Sequence, residues 1–184
     1  MKKYCFRLLG IISRKRFLWS LVVLELLFVY AFHGLFSFSV EKIQELSGGL
    51  GIPDTELFYN FTQLQNFFNH YGEAGRTIYL KLQFVDMVYP LVYSFLLASL
   101  LFLLLKKTRI ENFVFLPFMA AFFDYAENIL LRINILAFPY MNKILVDFAA
   151  FSTLLKWILI FVSVLVIIVA FLRVSVNRLK DVKY

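Results

Sequence analysis

The chain has 184 residues, 61% of them hydrophobic and 17% charged, against roughly 45–50% and 25% in a soluble globular domain. With 7 Gly, 4 Pro and 1 Cys it is neither disordered, collagenous nor a disulfide-stapled secreted scaffold, and its 23 Phe suit a lipid-facing surface. A formal charge of +7 would raise nucleic acid as a partner, but the basic residues flank apolar runs as cytoplasmic flanks do, and nucleic acid is set aside.

The chain opens on a basic segment, Met1 to Arg16, holding Lys2, Lys3, Arg7, Arg14, Lys15 and Arg16. The lone Cys5 has no partner for an intramolecular disulfide and lies beside basic residues expected on the reducing side, where a juxtamembrane thiol is a weak palmitoylation signal. A first apolar run spans about residues 17–36 and carries Glu25 and His33. It is too long for a signal-peptide core of 7–15 residues, and no small-x-small cleavage site follows, so a retained helix is expected.

Residues 38–77 form an outer segment. Ser47-Gly-Gly-Leu-Gly-Ile-Pro53 reads as a break, and Asp54 is placed to cap a helix starting near Thr55. Leu57, Phe61, Leu64 and Phe68 then recur at helical spacing, so an amphipathic helix is expected on the outer face, lying on lipid or capping the bundle. Asn60-Phe61-Thr62 matches a glycosylation sequon, a pattern common by chance. Further on, Gly72 can end one helix as Glu73 opens the next, with Arg76 close behind.

Three more apolar runs follow, at about residues 78–105, 113–138 and 151–172. Each approaches or exceeds the roughly 20 residues that cross a hydrocarbon core, and helices satisfy their own backbone there. Lys and Arg set the orientation: 13 lie in the N-terminal segment, the 106–109 turn and the C-terminal tail (Arg173, Arg178, Lys180, Lys183). Four, Lys42, Arg76, Lys81 and Lys143, lie opposite. The expected architecture is therefore all-α: a single membrane domain over 1–184, an integral four-helix bundle with both termini cytoplasmic.

Charges inside a bilayer need a reason. At about 100° per residue, Tyr79, Gln83, Asp86, Tyr89, Pro90 and Tyr93 share one side of the second span. Pro117, Ala120, Ala121, Asp124, Glu127, Asn128 and Arg132 share a sector of the third, opposite Phe115, Phe122, Ile129 and Ile133. Ser152, Thr153, Lys156 and Ser163 align on the fourth. Polar sides turned inward are the economical solution. Helical rise puts Asp86 and Lys156 roughly 6–8 Å below the outer helix ends, so most of these groups are expected in one layer of the outer half. Pro90 removes a hydrogen bond and clashes with the Asp86 carbonyl, opening the backbone beside that acid. The expected pairings are Arg132 with Asp124 or Glu127, and Lys156 with Asp86.

The candidate binding or buried polar network is thus Asp86, Tyr89, Tyr93, Asp124, Glu127, Asn128, Arg132 and Lys156, with Glu25, His33, Glu73 and Arg76 as secondary candidates. Its plain structural alternative is an ion-pair network that fixes helix docking. No HExxH, metal-spaced Cys/His cluster, GxSxG, P-loop or GxGxxG occurs, so no metal and no cofactor is expected. Serines flanking Lys156 invite a Ser-Lys hydrolase, but inward serines usually bond to backbone.

The phrases Tyr71-Gly72-x-x-Gly75-Arg76 with Asp86-x-x-Tyr89-Pro90, and Phe123-Asp124-x-x-Glu127-Asn128 with Lys156, carry a resemblance over about residues 60–172 to a group of small four-helix bacterial inner-membrane proteins of unassigned activity. That resemblance implies a bacterial inner-membrane address and transfers no catalytic residue. In topology alone the layout is similar to sterol-binding four-helix membrane proteins. The expected function is a binding module whose polar cluster holds a lipid-like or small amphiphilic ligand or a partner helix. Membrane lipids, a second copy or another membrane protein are the expected partners. Alternatives are a structural or assembly subunit, a lipid-headgroup enzyme using Asp124 or Glu127 as general acid or base, and a proton or ion path.

Overall fold

The computed structural model describes residues 2–35 and 37–181. Phe36, the expected end of the first span, and Lys183 lie outside the described residues, as do the side chains of Lys2, Lys3, Cys5, Arg178 and Lys180. The described residues are helical, without strands: α1 (Lys2–Ile12), α2 (Lys15–Tyr30), α3 (Val40–Ser47), α4 (Phe61–Asp86), α5 (Tyr89–Leu105), α6 (Leu116–Ala137) and α7 (Lys143–Asp181). A π-type turn extends α2 over Ala31–Leu35, and short 3-10 turns occupy Pro53–Thr55 and Glu111–Phe115. Among the described residues four segments are long and apolar enough to cross a membrane: Lys15–Gly34, Phe61–Leu105, Glu111–Ala137 and Lys143–Val176.

The centre of the fold is the pair α6 and α7. Buried Ala120, Ala121, Ala149 and Ala150 keep the facing surfaces small where helices approach closely. Asn142 starts α7 by accepting from Ile144 N at 2.9 Å and Leu145 N at 3.3 Å, satisfying donors that a helix N-terminus leaves free. Helix α5 packs on α6, α7 and α2. None of the residues of α2 is buried.

One end of the bundle is a cap that differs from the single expected helix. Ser39 caps α3 by accepting from Lys42 N at 3.3 Å, and Gly48, at φ 72°, closes it in the left-handed region glycine favours. The Gly-rich break follows where expected. Asp54, however, caps nothing. The chain stays out of helix to Asn60, whose side chain accepts from Gln63 N at 2.9 Å while Gln63 Oε1 accepts from Asn60 N at 2.8 Å. This reciprocal box satisfies two backbone donors and starts α4 six residues after Thr55. Leu57 is consequently exposed, whereas Leu64 and Phe68 are fully buried against Val40, Ile43 and Tyr79. The amphipathic helix therefore packs on the bundle as a cap.

Helix α4 then bends at Gly72 (φ 58°, ψ −171°). Arg76 Nη1 donates to the Phe68 carbonyl at 2.9 Å across this bend, and its guanidinium lies 4.6 Å from the centre of the Phe138 ring. The expected second span is divided in two. Helix α4 ends at Asp86 and α5 begins at Tyr89, with Pro90 in its first turn, where the missing N–H is least felt. Tyr125 donates to the Met87 carbonyl within this break at 2.9 Å.

At the opposite end the N-terminal segment is itself a helix. Leu9 of α1 is buried with Leu101, Leu105 and Val114, and Ser13 Oγ donates to the Ser99 carbonyl at 3.4 Å.

Candidate functional site

Two adjoining features occupy the cap half of the bundle: a buried polar network between α6 and α7, and a cleft beside it. The network arises because three inward positions of α6 and two of α7 carry polar groups at helical spacing. Lys156 Nζ lies 2.6 Å from Glu127 Oε2 and 3.3 Å from Asp124 Oδ1, and all three side chains are almost wholly buried. Tyr93 donates to Asp124 Oδ2 at 3.0 Å. Asn128 Nδ2 donates to Asp86 Oδ2 at 2.7 Å and approaches Asp124 Oδ1 at 3.4 Å. Thr153 Oγ1 lies 2.7 Å from Glu127 Oε1, 3.0 Å from the Ala149 carbonyl and 3.3 Å from the Tyr59 hydroxyl. Its single proton goes best to the nearest acceptor, the Glu127 carboxylate. Burial, and then the Glu127 charge, push the Tyr59 phenol upward, so this hydroxyl keeps its proton as a donor.

The cleft has a volume of about 480 Å³ and lies between α2, α4, α5, α7 and the 52–55 turn. Val29, Leu96, Leu97, Ile160 and Val164 supply apolar wall. Glu25, Asp54, Gln83, Asp86, Tyr89 and Lys156 supply its polar lining. Tyr89 donates to Glu25 Oε1 at 2.8 Å. Tyr79 donates to Asp54 Oδ2 at 2.6 Å, and Trp157 Nε1 to the Asp54 carbonyl at 3.3 Å. Glu25 Oε2, Asp54 Oδ1 and Gln83 Oε1 are buried atoms without a hydrogen-bond partner in the protein. Gln83 is only 3% exposed, and its amide nitrogen is directed to the Asn128 carbonyl at 3.4 Å, leaving the oxygen free.

The expected residues fall into distinct places. Asp86, Tyr93, Asp124, Glu127, Asn128 and Lys156 come together, and Tyr89 joins Glu25 across the cleft. Both expected pairings differ from those formed. Lys156 pairs with Asp124 and Glu127, and Asp86 instead accepts from Asn128. Arg132 reaches neither acid: its Nη1 donates to the Leu80 carbonyl at 3.4 Å and its guanidinium sits 4.5 Å from the Phe84 ring centre. Only a few residues beyond Asn128, it points towards α4 and not into the network. His33 lines the cleft but directs Nδ1 at Glu41 Oε1, 2.8 Å away on the surface. Glu73 is exposed, and Arg76 braces the Gly72 bend. Neither approaches the cleft.

Asp54, Tyr59, Tyr79, Gln83, Thr153 and Trp157 belong to the two features although the candidate set omits them. Tyr79 and Gln83 were legible seven and three residues before Asp86, on the same helical face, and Thr153 three before Lys156. Asp54 carried no such signal, because a loop has no period. Asp124 and Glu127 are not among the residues lining the cleft. Among the described residues no group of three or more His, Cys, Asp or Glu is arranged to hold a metal ion. No protein-family model, curated protein or solved structure matches this chain.

Proposed function

We propose that this chain is an integral membrane protein that binds a lipid-like or small amphiphilic molecule in the cleft beside Lys156.

 The observation that carries this reading is the cleft itself: about 480 Å³ with an apolar wall and, at one end, the unpartnered oxygen of the buried Gln83. Ligand sites are concave, mostly apolar and supplied with a few polar groups that fix orientation. The exposed apolar side chains of Leu26, Phe122, Phe161 and Ile168 support a hydrocarbon surround, as does α2, which has no buried residue and exposes Val23, Leu24, Leu27 and Val29. An N-in, C-in orientation in a cell membrane, the bacterial inner membrane on the resemblance above, is supported by where the basic residues gather. The α1 helix, the 106–109 turn and the second half of α7 share one end of the bundle, as positive-inside requires.

The test is native mass spectrometry after extraction in mild detergent, comparing the wild type with Leu97→Trp, which fills the apolar wall. A retained amphiphile lost in the variant supports the reading. No retained amphiphile in either protein, together with unchanged lipid content, overturns it.

A second reading has its own observation. Lys156 touches the cleft, but its ammonium is taken up by Asp124 and Glu127, which do not line it, as expected of groups that fix how α6 docks on α7. On this reading the trio is structural and the cleft face alone binds. The lipid-headgroup enzyme gains no such support, since its two candidate acids are engaged by Lys156.

A further inference from the structure

The cleft is unbalanced in both charge and hydrogen bonding. Three carboxyl groups line it, Glu25, Asp54 and Asp86, against the ammonium of Lys156 and the imidazole of His33. Lys156 is engaged by Asp124 and Glu127, and His33 directs Nδ1 at Glu41. Asp86 receives one amide donor, and Glu25 and Asp54 one tyrosine hydroxyl each. Among the residues lining the cleft, the buried side-chain atoms left without a partner, Glu25 Oε2, Asp54 Oδ1 and Gln83 Oε1, are all acceptors. A buried carboxylate requires a counter-charge or donors, so a complementary ligand brings both.

We propose that the cleft selects an amphiphile with a primary ammonium head, a long-chain amine, whose alkyl chain lies along Val29, Leu97, Ile160 and Val164. This rests on the amphiphile-binding reading and specifies the head. A primary ammonium carries one positive charge and three donors, the complement of an acidic lining with three vacant acceptors. A carboxylate or phosphate head would face like charge, and a quaternary ammonium would leave the acceptors vacant. Trp157 and Tyr89 line the same cleft and add aromatic faces of the kind that attract cations.

Trp157 provides the readout. In zwitterionic phosphatidylcholine nanodiscs, the Trp19→Phe protein is titrated with dodecylamine, dodecyltrimethylammonium, dodecanoate and dodecanol while Trp157 fluorescence is followed. Dodecylamine is expected to saturate the change at about tenfold lower concentration than the other three, the equivalent of ~1.4 kcal/mol. Glu25→Gln and Gln83→Leu, each checked for an unchanged melting temperature, are expected to erase most of that preference. Equal binding of the four probes, preference for dodecanoate, or a preference that survives both substitutions overturns the amine assignment while leaving amphiphile binding intact. No saturable change with any probe overturns the amphiphile reading itself.

Discussion

Lys156 and Glu127 meet at 2.6 Å between α7 and α6, each buried from solvent. Asp124, one turn earlier on α6, takes the other side of the ammonium at 3.3 Å. One lysine thus serves two carboxylates on the same helix face, the spacing a three-residue step provides. The ammonium also lies 5.7 Å from the Trp157 ring centre, which places the trio next to the cleft.

Removing the lysine leaves two buried acids without a counter-charge. Lys156→Met is expected to lower stability by about 3–5 kcal/mol, the usual effect of breaking a buried pair. Adding Asp124→Asn and Glu127→Gln to that variant is expected to recover a large part of the loss. Chemical unfolding in detergent micelles measures both; a single variant as stable as wild type would show that the pair does not hold α6 to α7.

Thr153→Val keeps the side-chain shape but removes the donor at 2.7 Å from Glu127 Oε1. Loss of a bond to a charged group predicts a destabilisation of about 1.5–3 kcal/mol. Thr153→Ser, which retains the hydroxyl, is expected to recover most of it in the same unfolding measurement.

The start of α4 separates two capping assignments. Asn60→Ala is expected to cost about 1 kcal/mol through loss of the box with Gln63. Asp54→Asn leaves that helix start intact and acts instead on Tyr79, 2.6 Å away. Amide hydrogen exchange over the first turn of α4 tells them apart: Asn60→Ala accelerates it, and Asp54→Asn does not.

Gly72 has a backbone conformation almost restricted to glycine. Nothing lies within 4 Å of a β-carbon placed there, so the expected penalty for Gly72→Ala, about 1–3 kcal/mol, comes from backbone strain and not from collision. Thermal unfolding that left Gly72→Ala unchanged would contradict the bend.

The surface contact between His33 and Glu41 is sensitive to acid. Desolvation alone would raise the Glu41 carboxyl. Its own backbone N–H at the start of α3, His33 and Ser39 outweigh that and hold it below the usual carboxylate range. A depressed value means the contribution is present above the unfolded value and disappears as pH falls through the folded one. The stability difference between wild type and Glu41→Gln is therefore expected to shrink between about pH 6 and about pH 3. The pair is exposed, so the whole effect is small.

Much of the helical content and the inward faces was readable without coordinates. Asp124, Glu127 and Asn128 on α6, and Ser152, Thr153, Lys156 and Ser163 on α7, all turn inward and are buried, because the period of a helix assigns a side to each residue. The helices α1 and α3 were not readable as such. Both are short and flanked by charge, and α1 gains its burial from residues far along the chain, Leu101, Leu105 and Val114 among them. The start of α4 was misplaced because Asp54 and Asn60 are both good caps; in the fold Asp54 is taken up by Tyr79, twenty-five residues away, and Asn60 forms the box.

Composition and period by themselves determined an all-helical chain with four long apolar segments and a polar side on three of them, since those properties depend only on neighbours along the helix. Which cation meets which acid was decided by tertiary structure. Lys156 faces Glu127 because α6 and α7 pack along their length, Arg132 turns to the Leu80 carbonyl because α4 lies beside it, and the 52–55 turn brings Asp54 to the cleft. Charge pairing acts over a few ångströms between different helices, and no periodicity within one helix specifies that distance.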